Sequence, residues 1–235
     1  MDCYTFEVGG KQVEIFRSVY APVKSNMFTL VSGNEAAVFD PNEDYDLLAL
    51  LKEKAVKKVR ILLTHGHFDH ISGVPWLKDH FAAEVLCQER CADRLANSKR
   101  PLSRLVEMVL SVQDMEDGGH RYQDFKRSYK PFTIVADRTF GLEVDIQVGA
   151  LSFHATATPG HSEGSTCYTL LEKLVFTGDT LLQEYPVILK FPGGSKEDYE
   201  RFARPYLQAL DPDSIILPGH GEPFVLKDRK IADYV

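Results

Sequence analysis

Thr64-His65-Gly66-His67-Phe68-Asp69-His70 follows directly on the short apolar run Val59 to Leu63. That run is bounded by polar residues, as a strand buried on both faces would be. On an extended segment, residues two apart point the same way. His65, His67 and Asp69 can therefore converge, and the turn into the next helix brings in His70. Three imidazoles and one carboxylate within so short a stretch is ligand density. A polar loop that is histidine-rich by chance explains it poorly at the end of a strand.

Three further candidates lie downstream, each in a loop just after an expected strand and each beside glycine. They are His161 in Thr158-Pro159-Gly160-His161, Asp179 in Thr177-Gly178-Asp179-Thr180, and His220 in Pro218-Gly219-His220-Gly221. Glycine lets backbone approach a crowded site and adopt positive φ. Singly, each reads as a turn residue. Jointly with residues 65 to 70 they supply nitrogen and oxygen donors at a series of strand ends.

Working outward, the N-terminal forty residues read as two hairpins. Thr5 to Val8 and Gln12 to Phe16 flank Gly9-Gly10, and Met27 to Val31 and Ala36 to Phe39 flank Ser32 to Glu35. Asp44 to Lys54 has helical periodicity through Leu47, Leu48, Leu50 and Leu51. A second helix is expected from Ser72 to His80, a strand at Glu84 to Cys87 and a helix at Arg90 to Ala96. Residues 97 to 132 differ: Pro101 to Val112 is an amphipathic helix, Gly118-Gly119 breaks it, and His120 to Tyr129 carries aromatic residues among charges. This predicts a helical insertion between strands. Strands resume at Val144 to Val148, Leu151 to Ala157, Thr166 to Leu171 and Leu174 to Thr177. A helix capped by Ser195 runs to Leu210, and Ile215 to Leu217 is the last strand. Strands followed by helix–strand units occur twice, which predicts two similar halves around one core, in one domain over residues 1–235.

Composition narrows the function. The chain has 235 residues, 44% hydrophobic and 26% charged, with a net charge of −7. That balance disfavours a nucleic-acid partner. The cluster Lys54, Lys57, Lys58 and Arg60 reads as a solvated helix end. Cys3, Cys87, Cys91 and Cys167 are too scattered for a disulfide scaffold, with Cys87 and Cys91 expected to share a helix start. No secretory signal or membrane-spanning run is read, so the expected setting is the reducing cytoplasm and the expected partner a small-molecule substrate. Oligomeric state is not legible.

The set His-x-His-x-Asp-His, a later histidine, Gly-Asp-Thr and Gly-His-Gly resembles the metallo-β-lactamase superfamily, over residues 27 to 222. Within it the chain is most similar to the glyoxalase II-like hydrolases. The resemblance implies a four-layer αββα sandwich with two divalent metal ions at one edge of the sheets. Zinc suits three imidazoles at one site, and iron and manganese are compatible with the same donors. It further implies that His65, His67 and His161 hold the first metal, that Asp69, His70 and His220 hold the second, and that Asp179 bridges them. Asp40 matches an aspartate that supports the ligands from behind, although Pro41-Asn42 follow it where many members have Thr-Gly. His80, His120 and His154 match no ligand position.

Two such cations sharing a water bring its pKa towards neutrality, so the expected chemistry is hydroxide attack on the carbonyl of a small thioester, ester or lactone. Asp69 is expected to orient that nucleophile as well as to bind metal. Within the fold, a phosphodiesterase or nuclease and a mononuclear-iron persulfide dioxygenase are the alternatives. A rival reading takes Gly160-His161-Ser162-Glu163-Gly164 as a serine-hydrolase elbow. Pro159 interrupts its approach, Thr166 to Leu171 reads as a strand where a helix is required, and residues 65 to 70 go unexplained. Glyoxalase II grips glutathione with a C-terminal helical domain, whereas here Glu222 to Val235 follow the last ligand. The expected substrate contacts are therefore Tyr122, Phe125 and Tyr129 of the insertion, and Tyr185 and Lys190 after Asp179. The insertion is either a lid or a helical pair that only covers the sheet.

Overall fold

Two glycine turns organise the first four strands of the computed structural model, which describes residues 1–96, 104–130 and 132–229. Gly9-Gly10, both at positive φ, turn β1 (Asp2–Val8) into β2 (Lys11–Tyr20), and Gly33 sits in the turn from β3 (Ser25–Ser32) to β4 (Glu35–Phe39). Parallel strands follow at β5 (Lys58–Leu62), β6 (Ala82–Gln88) and β7 (Arg138–Phe140), completing a seven-stranded sheet in sequence order. The second sheet has six strands in the order β13-β12-β11-β10-β9-β8. Its members are β8 (Glu143–Val148), β9 (Leu151–Ala157), β10 (Thr166–Leu170), β11 (Leu174–Gly178), β12 (Ile215–Pro218) and β13 (Phe224–Val225).

The sheets bury their facing sides against each other. Phe39 stacks on Phe176 with centroids 3.9 Å apart and meets Tyr168 and Phe153 edge-on. Helices cover both outer faces. Over the first sheet lie α1 (Tyr45–Glu53), α2 (Phe68–Ile71), α3 (Val74–His80), α4 (Glu89–Leu95), α5 (Arg104–Asp117) and α6 (Arg121–Ser128). Asp44 caps α1 by accepting from the N–H groups of Asp46 and Leu47. Leu47, Leu48 and Leu51 then turn into the core. Over the second sheet lies one helical rod, α7 (Lys196–Asp198), a π segment (Tyr199–Ala203) and α8 (Arg204–Ala209). The αββα sandwich and the helical insertion are thus present. Among the described residues no helix is long and apolar enough to cross a membrane.

Several details depart from the sequence reading. Helix α3 starts at Val74, after Gly73, whose missing side chain lets Asn42 backbone pass close by. The rod over the second sheet takes a π turn where Arg204 N–H bonds to Tyr199 O. Pro205 cannot donate to the turn before it, and the wider turn absorbs that loss. The strands β7 and β13 are too short to register as periodicity, so Ile215 to Leu217 is not the last strand. Lys58 and Arg60 lie on β5 beside Glu84, not at a helix end. Cys87 lies on β6 while Cys91 is inside α4, and both are buried. Helix α5 extends to Asp117, and Pro101 and Leu102 of the expected helix lie outside the described residues.

Candidate metal centre

The C-terminal ends of β4, β5, β9, β11 and β12 meet at one edge of the sandwich, and every candidate donor sits just beyond one of them. The parallel pair β11–β12 shifts register between Phe176 and Gly178 and still brings Gly178 beside Pro218, and Gly219 N–H bonds to Gly178 O at 2.8 Å. Asp179 and His220 therefore emerge side by side. His67 is extended and sits at the N-cap of α2, so Asp69 lies with His70 on a helical turn and not on the expected extended segment. The turn points both side chains back at the strand ends.

The donors form two groups. His67 Nδ1 lies 3.0 Å from His65 Nε2 and 3.0 Å from His161 Nε2. One proton cannot satisfy three converging lone pairs, so this is the geometry of ligands and not of a hydrogen-bond network. On the other side, Asp69 Oδ2 is 3.4 Å from both His70 Nε2 and His220 Nε2. Asp179 faces both groups: Oδ2 is 3.5 Å from His161 Nε2 and from His220 Nε2, and Oδ1 is 3.5 Å from His70 Nε2.

Behind the donors the hydrogen bonds set tautomers. His161 Nδ1 donates to Ile188 O at 3.0 Å, which leaves Nε2 a lone pair. Asp40 accepts from Thr64 N at 2.7 Å, Thr64 Oγ1 at 2.6 Å and His70 Nδ1 at 2.9 Å. Because the Thr64 hydroxyl proton goes to Asp40, Thr64 Oγ1 accepts from His65 Nδ1 at 3.0 Å. Asp40 holds φ at +50°, costly for a residue with a side chain and characteristic of functional sites. Its oxygens are occupied by these partners, so it supports both groups without joining either.

Burial pushes His65 and His67 well below the ordinary imidazole range and lowers His161. For His70 burial is outweighed by Asp69, Asp179 and Asp40, which lift it to about 9. His220 is buried too, yet Asp179 and Asp69 lift it well above its usual value. Burial opposes ionisation of Asp69, but His70 and His220 hold it at about 2. Asp179 is likewise pulled well below the usual carboxylate range, by His220 and His70. One group is thus three neutral imidazoles, and the other is a charge-dense mixture.

Both groups suit divalent cations. The ligand atoms of His65, His67 and His161 all lie within 4.8 Å of one another, as do those of Asp69, His70 and His220. His70 Nε2 and Asp179 Oδ1 are buried with no hydrogen-bond partner. Native interiors rarely leave such groups unpaired unless an ion or water completes them.

A cavity of about 670 Å³ opens above the donors. Its walls are largely apolar, lined by Val19, Val23, Val106 and Val109 of α5, Ile188 and Phe191. Tyr185 and Lys24 line it, whereas Lys190 does not. Tyr122, Phe125 and Tyr129 are placed elsewhere. Phe125 and Tyr129 pack edge-on against Phe68 at 5.4 and 5.3 Å, and Tyr122 joins the same core cluster. Helix α6 is amphipathic and turns its aromatic face to the core, against Phe68, so among the described residues the insertion reaches the cavity through α5. His80, His120 and His154 are exposed and away from the donors. Ser162 is buried against Ser165 in a loop between strands, with no elbow. Thr64, Ser25, Asn26 and Ile188 were not singled out from sequence. The one available signal was polar Ser25, Asn26 and Thr29 in a strand whose residues are nearly all buried.

A family model described as the metallo-beta-lactamase superfamily matches residues 20–220. The probable metallo-hydrolase YqgX of Bacillus subtilis is 26% identical over 87% of this chain and 89% of its own length. The hydroxyacylglutathione hydrolase GloC of Haemophilus influenzae is 30% identical over 83% of this chain and 84% of its own. Among solved structures, the BLEG-1 B3 metallo-beta-lactamase superposes with TM-score 0.72 at 25% identity, covering 91% of this chain and 95% of that one. TTHA1623, solved in a di-iron-bound form, superposes with TM-score 0.65 at 21% identity, covering 91% and 96%.

Proposed function

The chain belongs to the metallo-β-lactamase superfamily, and on that premise we propose that it is a dinuclear metal-dependent hydrolase of small thioesters, esters or lactones. The observation that carries this reading is the meeting of two donor groups, with Asp179 facing both, at the floor of an apolar cavity. In the proposed assignment His65, His67 and His161 hold one cation, Asp69, His70 and His220 hold the other, and Asp179 bridges. Zinc is the proposed metal, since imidazole donors dominate the first position.

When bound, two divalent cations supply a water acidified towards neutral pH and a Lewis acid for a carbonyl oxygen. The chain's own residues do the rest. Asp69 lines the cavity, and its carboxylate can accept a hydrogen bond from an incoming water and hold the proton it gives up. Asp40 and Thr64 fix the ring planes of His70 and His65. The valines and Phe191 exclude bulk water and receive the part of the substrate that does not react.

Two cations per chain is the first expected result. Elemental analysis after reconstitution with excess zinc, iron or manganese would read it, and a ceiling of one metal per chain would overturn the dinuclear assignment.

The cavity walls also bear on substrate choice. Arg17 and Glu222 are paired with each other, leaving Lys24 and Glu184 as charges of opposite sign. Such walls suit an apolar acyl or aryl group better than the two carboxylates of glutathione. Steady-state kinetics on a matched panel are expected to show weak turnover of S-lactoylglutathione and better turnover of simpler thioesters or lactones. A kcat/KM for S-lactoylglutathione above about 10⁵ M⁻¹s⁻¹, ordinary for a native substrate, would reverse this and favour the activity named for the Haemophilus relative.

A further inference from the structure

The loop that carries His220 is held by polar side chains that belong to no donor group. Asn26, buried at the start of β3, directs all its donors to that loop. Its backbone N–H bonds to Gly219 O at 2.7 Å. Its side-chain amide bonds to Pro218 O at 2.9 Å and to Gly221 O at 2.7 Å. Three carbonyls around His220 are thus fixed by one residue. The neighbouring Ser25 pairs with His220 in an isolated antiparallel bridge and donates from Oγ to Asp69 O at 3.0 Å. The same dipeptide therefore touches the backbone of Asp69 and of His220.

Arg17 of β2 reaches the same loop. Only 7% exposed, it donates from Nη1 to Gly221 O at 3.2 Å and from Nη2 to Glu222 Oε1 at 2.7 Å. Asp2 accepts from its Nε and Nη2 at 3.2 and 2.7 Å, and Tyr4 OH donates to Glu222 Oε2 at 2.7 Å. A loop with glycine on both sides of its histidine is conformationally loose, and such carbonyls are ordinarily satisfied by water. Here they are satisfied by a buried amide and a buried guanidinium, groups that are costly to bury unless paired. The other group, of His65, His67 and His161, has different supports, Thr64 and Ile188 O.

We propose that Asn26 and Arg17 are positioning residues for the second metal position alone: they fix the backbone on either side of His220, and with Ser25 they hold it in register with Asp69. This rests on the assignment of Asp69, His70 and His220 to that position. It extends the centre to the N-terminal strands, through β1 and β2.

Both residues also line the cavity, so a change in KM alone would not separate a metal-positioning role from a substrate contact. The test is therefore metal affinity. Full-length wild type, Asn26→Ala and Arg17→Lys are stripped of metal, and zinc binding is followed by competition with a chromophoric chelator. Thermal melts of the metal-free proteins check folding. Asn26→Ala keeps the backbone bond to Gly219 and loses both side-chain bonds, and it is expected to weaken the second equivalent of zinc by about 10–100-fold and leave the first unchanged. Arg17→Lys keeps the charge but loses the fork of donors, and is expected to weaken the same equivalent to a smaller degree. If Asn26→Ala does not fold, the comparison stands on Arg17→Lys, whose carboxylate partners are exposed. Folded variants that bind both equivalents like wild type, or lose both alike, would overturn the inference alone. Wild type that binds a single equivalent would overturn the dinuclear reading, and this inference with it.

Discussion

Asp69→Asn is expected to lower kcat by roughly 10²–10⁴-fold, whereas His120→Ala leaves turnover unchanged. The Asp69 carboxylate sits between His70 Nε2 and His220 Nε2, 3.4 Å from each, and faces the cavity. An amide of the same shape removes the negative charge that balances these imidazoles, and it turns an N–H₂ group towards one side of the site. It binds a hard cation poorly and cannot take a proton. The loss therefore combines weaker binding at the second position with the loss of a proton acceptor. His120, by contrast, is an exposed residue that caps α6 without a side-chain hydrogen bond. Steady-state kinetics on the best substrate of the panel, with metal content measured for each variant, would check both. Near-normal turnover in the two variants alike would mean that the donor assignment is wrong.

The difference between these two positions was legible in the sequence, and the reason is density at a strand end. His65, His67, Asp69 and His70 stand beyond a buried parallel strand, where a polar cluster has no structural purpose. His120 stands alone beside a glycine break. Asp40 was legible only through the family resemblance, as an aspartate following the strand Ala36 to Phe39. The substrate contacts could not be read in this way. Tyr122, Phe125 and Tyr129 lie on an amphipathic helix, and periodicity gives the existence of an apolar face but not what it meets. Packing against Phe68 decides it. Thr64 and Asn26 were hidden for another reason. Their partners are a carboxylate 24 residues away and carbonyls 192 and 195 residues away, and no local pattern encodes such pairings. The strands β7 and β13 have three and two residues, too few for any alternation to appear.

Gly219→Ala is expected to abolish most activity while the protein still folds. Strands β11 and β12 approach closely at the centre. A Cβ at Gly219 would lie 2.1 Å from Asp179 Oδ1, 2.9 Å from the Gly178 carbonyl carbon and 2.9 Å from His70 Cε1. The carboxylate end can swing away, but the Gly178 backbone is pinned by its bond to Gly219 N–H at 2.8 Å. The methyl group is therefore accommodated by displacing Asp179, the group that faces both donor sets, and by tilting His70. Overpacking of this kind costs about 1–3 kcal/mol of stability, which a domain of this size tolerates, but in the proposed assignment displacing Asp179 removes the ligand common to both cations. The useful contrast is Gly10→Ala in the first hairpin turn. There φ is +74° and nothing lies within 4 Å of the added methyl, so the cost is backbone strain alone, about 1–2 kcal/mol, with kcat unchanged. Metal content, kcat and melting temperature measured on both variants separate the effects. A Gly219→Ala protein that keeps two metals and wild-type kcat would show that Asp179 can move freely, and so that it does not bridge.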